Sequence, residues 1–282
     1  MTKTDIKRNV EWARMTAPEL KAMAASGSAL AILPAGALEQ HGPHLPVVVD
    51  TASANAASIA AAREVCDELP VAVLPPLWMG MSEHHLPFGG TISLDYAAYR
   101  ALLNSIVRSL KAIGFGRLLI VNGHGGNIDG LNLSARELAV EYDLAIATIM
   151  PWMNARAEIT ALMESAAPGH ACEGETSLMM AIAGDLVRPD KFEEAASSTI
   201  KPTNAPPAIS RFYSFAERAP QTGVMGDPRK SSAEKGEAIL AIHKRLIIDA
   251  IRKESVWSRP DAVWQSGRGL GTQDGPQAPS KS

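Results

Sequence analysis

Residues 117–122, Arg-Leu-Leu-Ile-Val-Asn, form the clearest buried-strand signal in the chain, and Gly123-His-Gly-Gly-Asn127 follows with no spacer. A short apolar run that stops at glycine suits a strand covered on both faces. Three similar runs occupy residues 29–33, 71–74 and 144–149. The first stops at Pro34 and Gly36, the second at Pro75-Pro76. Helix-like segments lie between them. Residues 50–69 are alanine-rich, with Asp50 or Thr51 placed to cap. In residues 95–113, Leu102, Leu103, Ile106, Val107, Leu110 and Ile113 recur on one face. Further helices are predicted at 17–26, 131–142, from 175 to 182 and at 233–251. Short apolar strands alternating with helices predict a three-layer α/β fold, a mainly parallel sheet with helices on both faces. Residues 1–258 read as one domain, 199–228 as an irregular excursion, and 259–282 as a disordered tail.

The balance of residue types removes several functions. A formal charge of -3 with no basic run gives no support to nucleic-acid binding. Cys66 and Cys172 show no CxxC spacing, so a reducing compartment is expected. The first eight residues lack a signal peptide's apolar core, and no uncharged run approaches the roughly 20 residues that span a bilayer. The chain is expected to be cytoplasmic and to have no membrane partner.

In a parallel sheet, ligands gather at the carboxyl ends of the strands. Three polar groups fall there. The first is Glu39, His41, His44 and Asp50, with Pro43 and Pro46 stiffening the loop. In extended backbone, residues two apart point the same way, so Glu39 and His41 can face one centre. Carboxylate and imidazole suit Zn, Mn or Fe, and a carboxylate can bridge two ions. The second is His124, where a glycine-dependent turn into the next helix explains the sequence equally well. The third is His170, Glu173 and Glu175; acidic residues favour a helix N-terminus, which explains one carboxylate but not His170. Asp95 and Asp227 read as turn or cap residues, and His243 as a solvated surface group. Ser53 and Cys172 lie in no nucleophile motif, and a metal-activated water needs none.

Together these groups resemble the creatininase family of metal-dependent amidohydrolases. The resemblance rests on Pro34-Ala-Gly-Ala-Leu-Glu-Gln-His-Gly-Pro-His-Leu-Pro46 through Asp50, Phe88-Gly-Gly-Thr-Ile-Ser93, Val121-Asn-Gly-His-Gly-Gly-Asn127, His170 through Ser177, and Gly223-Val-Met-Gly-Asp-Pro228 leading to Ala233-Glu-Lys-Gly236. It covers roughly residues 10 to 255, in order, and the segment 39–46 is its most specific part. It implies an α/β homohexamer with two divalent ions per subunit. Glu39, Asp50 and His124 would hold one ion; His41 and a bridging Asp50 would hold the other. Creatininase takes its remaining ligand from a glutamate where this chain has Gly126, and Glu175 is the expected substitute. His170 would shuttle a proton to the leaving nitrogen, so His170 and Glu175 carry the catalytic expectation. Trp152, His84, Gly125 and Asn127 are the expected substrate contacts, and His44 a supporting group.

The departures point away from creatinine. GHGGN is closer to the formamide deformylases, Gly169 replaces the glutamate before the catalytic histidine, and a second pocket tryptophan has no counterpart. The expected reaction is hydrolysis of a lactam, formamide or other small polar amide. Two other readings stay open: a metal-dependent lyase or isomerase acting on a sugar or cyclitol derivative, and an inactive assembly subunit.

Overall fold

A computed structural model describes residues 9–165, 169–196, 199–201 and 211–257, so the predicted tail and part of the predicted excursion lie outside the described residues. The elements in chain order are α1 (Ala17–Ala24), β1 (Leu30–Ala35), α2 (Val49–Val65), β2 (Val71–Val73), α3 (Tyr96–Ile113), β3 (Arg117–Asn122), α4 (Ile128–Tyr142) and β4 (Ala145–Ile149). Then come α5 (Pro151–Asn154), α6 (Arg156–Leu162), α7 (Glu173–Ala183), α8 (Phe192–Ala195), α9 (Phe215–Arg218) and α10 (Ala233–Arg252).

The four strands form one parallel sheet in the order β2-β1-β3-β4. Side chains alternate across it because successive Cβ atoms in a strand point to opposite faces. Leu30, Ile32, Val71, Val73, Leu119 and Val121 pack with α2 and α10. Ala31, Leu33, Leu118 and Ile120 pack with α3 and α4. This is the expected three-layer arrangement. Each fully buried leucine or isoleucine contributes roughly 1.5–3 kcal/mol, which explains why β3, covered on both faces, is so apolar.

Capping sets several boundaries. Asp95 precedes α3, and its carboxylate accepts from the Ala98 amide at 2.7 Å. Asp227 likewise accepts from the Arg229 amide. Asp50 does not cap α2, which starts one residue earlier; its side chain lies in the first turn and is buried. The predicted stop at Pro34 is also corrected, since β1 continues to Ala35. Pro34 offers its carbonyl to Leu77 on the β2 side, where β2 itself has ended at Val73, so no strand partner there requires the missing N–H.

The chain leaves β1 toward β2 on one side, then returns to β3 on the other. The sheet therefore has a topological switch point between β1 and β3, where crevices form at the carboxyl ends. Glu39 follows β1 and His124 follows β3.

Candidate metal centre

Two histidines show the local logic. His41 Nδ1 lies 3.1 Å from the Glu39 carbonyl, so Nδ1–H donates there and Nε2 keeps its lone pair. His124 Nε2 lies 3.1 Å from the Met81 carbonyl, so Nε2–H donates and Nδ1 keeps its lone pair. The free nitrogens turn inward. His124 Nδ1 is 3.2 Å from Glu39 Oε2 and 3.0 Å from Asp50 Oδ2. His41 Nε2 is 3.4 Å from Asp50 Oδ1 and 4.0 Å from Glu175 Oε2. Glu175 stands in the first turn of α7, where the Ala171 amide donates to the same Oε2 at 2.5 Å. Ala171 itself has φ +51°, left-handed backbone that aims this amide.

The arrangement fits metal. Glu39 Oε2, His41 Nε2 and Asp50 Oδ2 are buried without a hydrogen-bond partner, although nitrogen or oxygen atoms lie within 3.5 Å. They converge on shared points rather than on one another. Tetrahedral ions with bonds near 2.0–2.1 Å separate their ligand atoms by about 3.3 Å, close to these spacings. Three overlapping triads each have one donor atom per residue within 4.8 Å: His41-Asp50-Glu175, Glu39-His41-His170 and Glu39-His84-His124. The first is the set expected for the second ion. For the other ion, His124 stands between Glu39 and Asp50, while His84 and His170 add imidazoles at the margin.

The electrostatics favour a cation among these groups. Burial raises the Glu39 carboxyl, only partly offset by the charge on His124. Burial likewise pushes Glu175 up to about 7, against the pull of His41. Burial opposes protonation of His41, yet the Asp50 charge lifts it to about 9. His124 is raised for the same reason against its burial, chiefly by Glu39. The buried carboxylates draw a proton onto His41 Nε2 and His124 Nδ1, and a divalent ion there would displace those protons and take the lone pairs.

Surrounding groups hold this set. His170 Nε2–H donates to the Gln40 carbonyl at 2.7 Å, leaving Nδ1 toward Glu39 Oε1 at 3.8 Å. Burial, and then the charge on His41, hold His170 well below its ordinary value. The Gln40 side-chain amide donates to His85 Nδ1 at 2.8 Å, and His85 Nε2 faces Glu39 Oε1 at 3.2 Å. His85 is absent from the expected site residues; adjacent histidines in one loop carry no signal as to which turns inward. His44 stays outside the donor set, bonded through Nε2 to Thr176 Oγ1 at 2.9 Å.

A cavity of about 470 Å³ opens on the cluster, lined among others by Trp152, His84, Gly125 and His170. Asn127 is corrected: it does not line the cavity. Its amide donates to the Gly36 carbonyl at 3.0 Å and accepts from the Met81 amide at 3.0 Å, tying loops together. Glu173 also turns away, accepting from the Glu164 and Ser165 amides and pairing with Lys235. His243 is buried rather than solvated, its ring edge-on to Trp152 at 4.7 Å, because α10 packs this face against α5 and α7. Gly126 and Gly169 admit no glutamate. A Cβ at Gly126 would lie 2.3 Å from the Met81 carbonyl and 2.4 Å from His124 Nε2, and one at Gly169 1.9 Å from the Met225 carbonyl.

Residues 13–251 match the family described as "Creatininase: Creatinine amidohydrolase". The chain belongs to the creatininase family. It is 30% identical over 268 residues to creatinine amidohydrolase of Pseudomonas putida, covering 88% of this chain and 98% of that protein. It is 32% identical over 238 residues to the mycofactocin precursor peptide peptidase of Mycobacterium ulcerans, covering 82% and 87%. Solved creatininase structures, one of zinc–zinc type and one with manganese, each superpose with a TM-score of 0.72 at 32% identity, covering 87% of this chain and 98% of theirs. Membership places the chain among hydrolytic enzymes, and no helix of the described residues is long and apolar enough to cross a membrane.

Proposed function

We propose that this creatininase-family protein hydrolyses a C–N amide bond of a small polar molecule, a lactam or a formamide. The carrying observation is the convergence of Glu39, His41, Asp50, His124 and Glu175, all but His41 lining one cavity, with His170 beside them. In this reading Glu39, Asp50 and His124 hold one divalent ion, and His41, Asp50 and Glu175 the second. Ions there would acidify a water and polarise a carbonyl, with zinc, manganese and iron all suited to the donors.

The chain's own groups supply the rest. Asp50 shares its two oxygens between the two histidines, which places the half-sites side by side. The Gln40 carbonyl fixes His170 with its Nδ1 lone pair inward, ready to take a proton from water. As the C–N bond breaks, His170 returns that proton to the leaving nitrogen, so the products are a carboxylic acid and an amine. Trp152 walls the cavity, and burial of the donors limits water.

Metal analysis of the purified protein with an assay of cyclic and N-formyl amides tests the reading. Close to two divalent ions per chain and release of amine or formate are expected. Metal-loaded protein that turns over no member of the panel overturns it.

A further inference from the structure

Beyond the donor cluster, the cavity is lined by two arginines, Arg156 and Arg218. Arg156 opens α6 and is exposed; Arg218 closes α9, is half-buried, and has an Nε that is buried without a hydrogen-bond partner. Among the described residues neither guanidinium forms an ion pair, whereas Arg100, Arg229 and Arg245 each reach a carboxylate at 2.6–2.7 Å. An unpartnered, partly desolvated guanidinium nitrogen is costly unless something completes it.

The cavity's carboxylates are at its buried end: Glu39, Asp50 and Glu175. Trp152, Met150 and Phe215 add apolar surface to the same wall. One molecule in this cavity can therefore meet three kinds of group: carboxylate and imidazole donors, apolar side chains and guanidinium groups. With divalent ions balancing the three carboxylates, the two unpaired guanidinium groups remain to hold an anionic group of the same molecule. Guanidinium groups bind carboxylate or phosphate with paired, charge-assisted hydrogen bonds.

Resting on the hydrolase reading, we propose that the substrate is an anionic amide, whose carboxylate or phosphate is held by Arg156 and Arg218 while its C–N bond lies over the donor cluster. The test compares matched pairs on the metal-loaded enzyme. These are N-formylmethionine against its primary amide, and N-formylaminoethyl phosphate against N-formylethanolamine. In at least one pair the anionic member is expected to show about tenfold or greater kcat/KM, and the pair that discriminates identifies carboxylate or phosphate. R156Q and R218Q should each collapse that ratio toward one, acting mainly through KM. Calorimetric binding of acetate and inorganic phosphate, which needs no turnover, should weaken in both variants. Ratios near one in both pairs, or anion binding untouched by both variants, overturn the proposal. If no pair is turned over while the variants still weaken anion binding, hydrolysis fails and the anion site stands.

Discussion

His85 Nε2 lies 3.2 Å from Glu39 Oε1, and its other ring nitrogen receives the Gln40 side-chain amide at 2.8 Å. The tautomer is thereby set: Nδ1 accepts and Nε2–H donates, so His85 orients the Glu39 carboxylate. Groups that orient metal ligands typically change affinity by about 10- to 100-fold. His85→Ala is expected to weaken metal binding by that factor while the fold is retained. Competition with a metal indicator, alongside circular dichroism, checks it; wild-type affinity would remove His85 from this role.

Asp50 touches both histidines, so its loss should empty both half-sites together. Asp50→Ala is expected to purify with almost no divalent ion. Wild-type metal content would sink the shared-ligand assignment. Chelation of the wild type should lower Tm by on the order of 5–10 °C, since an ion at 100 times its Kd contributes about 2.7 kcal/mol to stability. Returning zinc or manganese should restore it, as read by scanning calorimetry.

Gly126 is closed by the Met81 carbonyl and His124 Nε2. Gly126→Glu, which writes the creatininase glutamate into this chain, is therefore expected to lower both stability and metal content. The overpacking cost is about 1–3 kcal/mol. A stable, fully loaded variant would show that the 81–84 loop yields, contrary to this packing.

Burial pushes His243 down to about 3, against about 6.5 for an unfolded histidine. Between those values the unfolded chain binds the extra proton. The stability this neutral histidine permits is therefore complete above pH 6.5 and declines as pH falls toward 3. Metal ligands also titrate in acid, so the difference between proteins is the informative quantity. His243→Leu should lose less stability than wild type between pH 7 and 5, measured by urea midpoints. Parallel profiles would contradict it.

Glu173 is buried, and two backbone amides and Lys235 converge on its carboxylate, which sits below its ordinary value because these hydrogen bonds outweigh burial. Glu173→Gln is expected to cost about 1–3 kcal/mol of stability. Chemical denaturation measures this, and ion content should stay at the wild-type level because Glu173 faces away from the donors.

The strands were legible because burial on both faces leaves few residue choices; residues 117–122 coincide with β3 to the residue. Glu39, His41, Asp50, His124 and Glu175 were legible only jointly, since each alone fits a loop or a cap. Asn127 and Glu173 misled because a buried polar group that ties loops together looks, in sequence, like one that meets a ligand. His243 was misread because its charged neighbours Lys244 and Arg245 lie on other faces of α10. Nothing in the spacing of His84 and His85 says which ring turns toward Glu39, because that depends on a loop closing over β1 and β3.

Gln40 joins distant stretches of chain through one buried amide. Its nitrogen serves His85 and the Gly223 carbonyl, and its oxygen takes the Gly42 amide. The loop after β1, the loop before α3 and the segment before α10 are therefore fastened at a single point, like staves under one hoop. None can swing outward alone without stripping a partner from that amide. Traffic of substrate and product is thus directed away from this seam, toward the exposed rim formed by Met153 and Arg156.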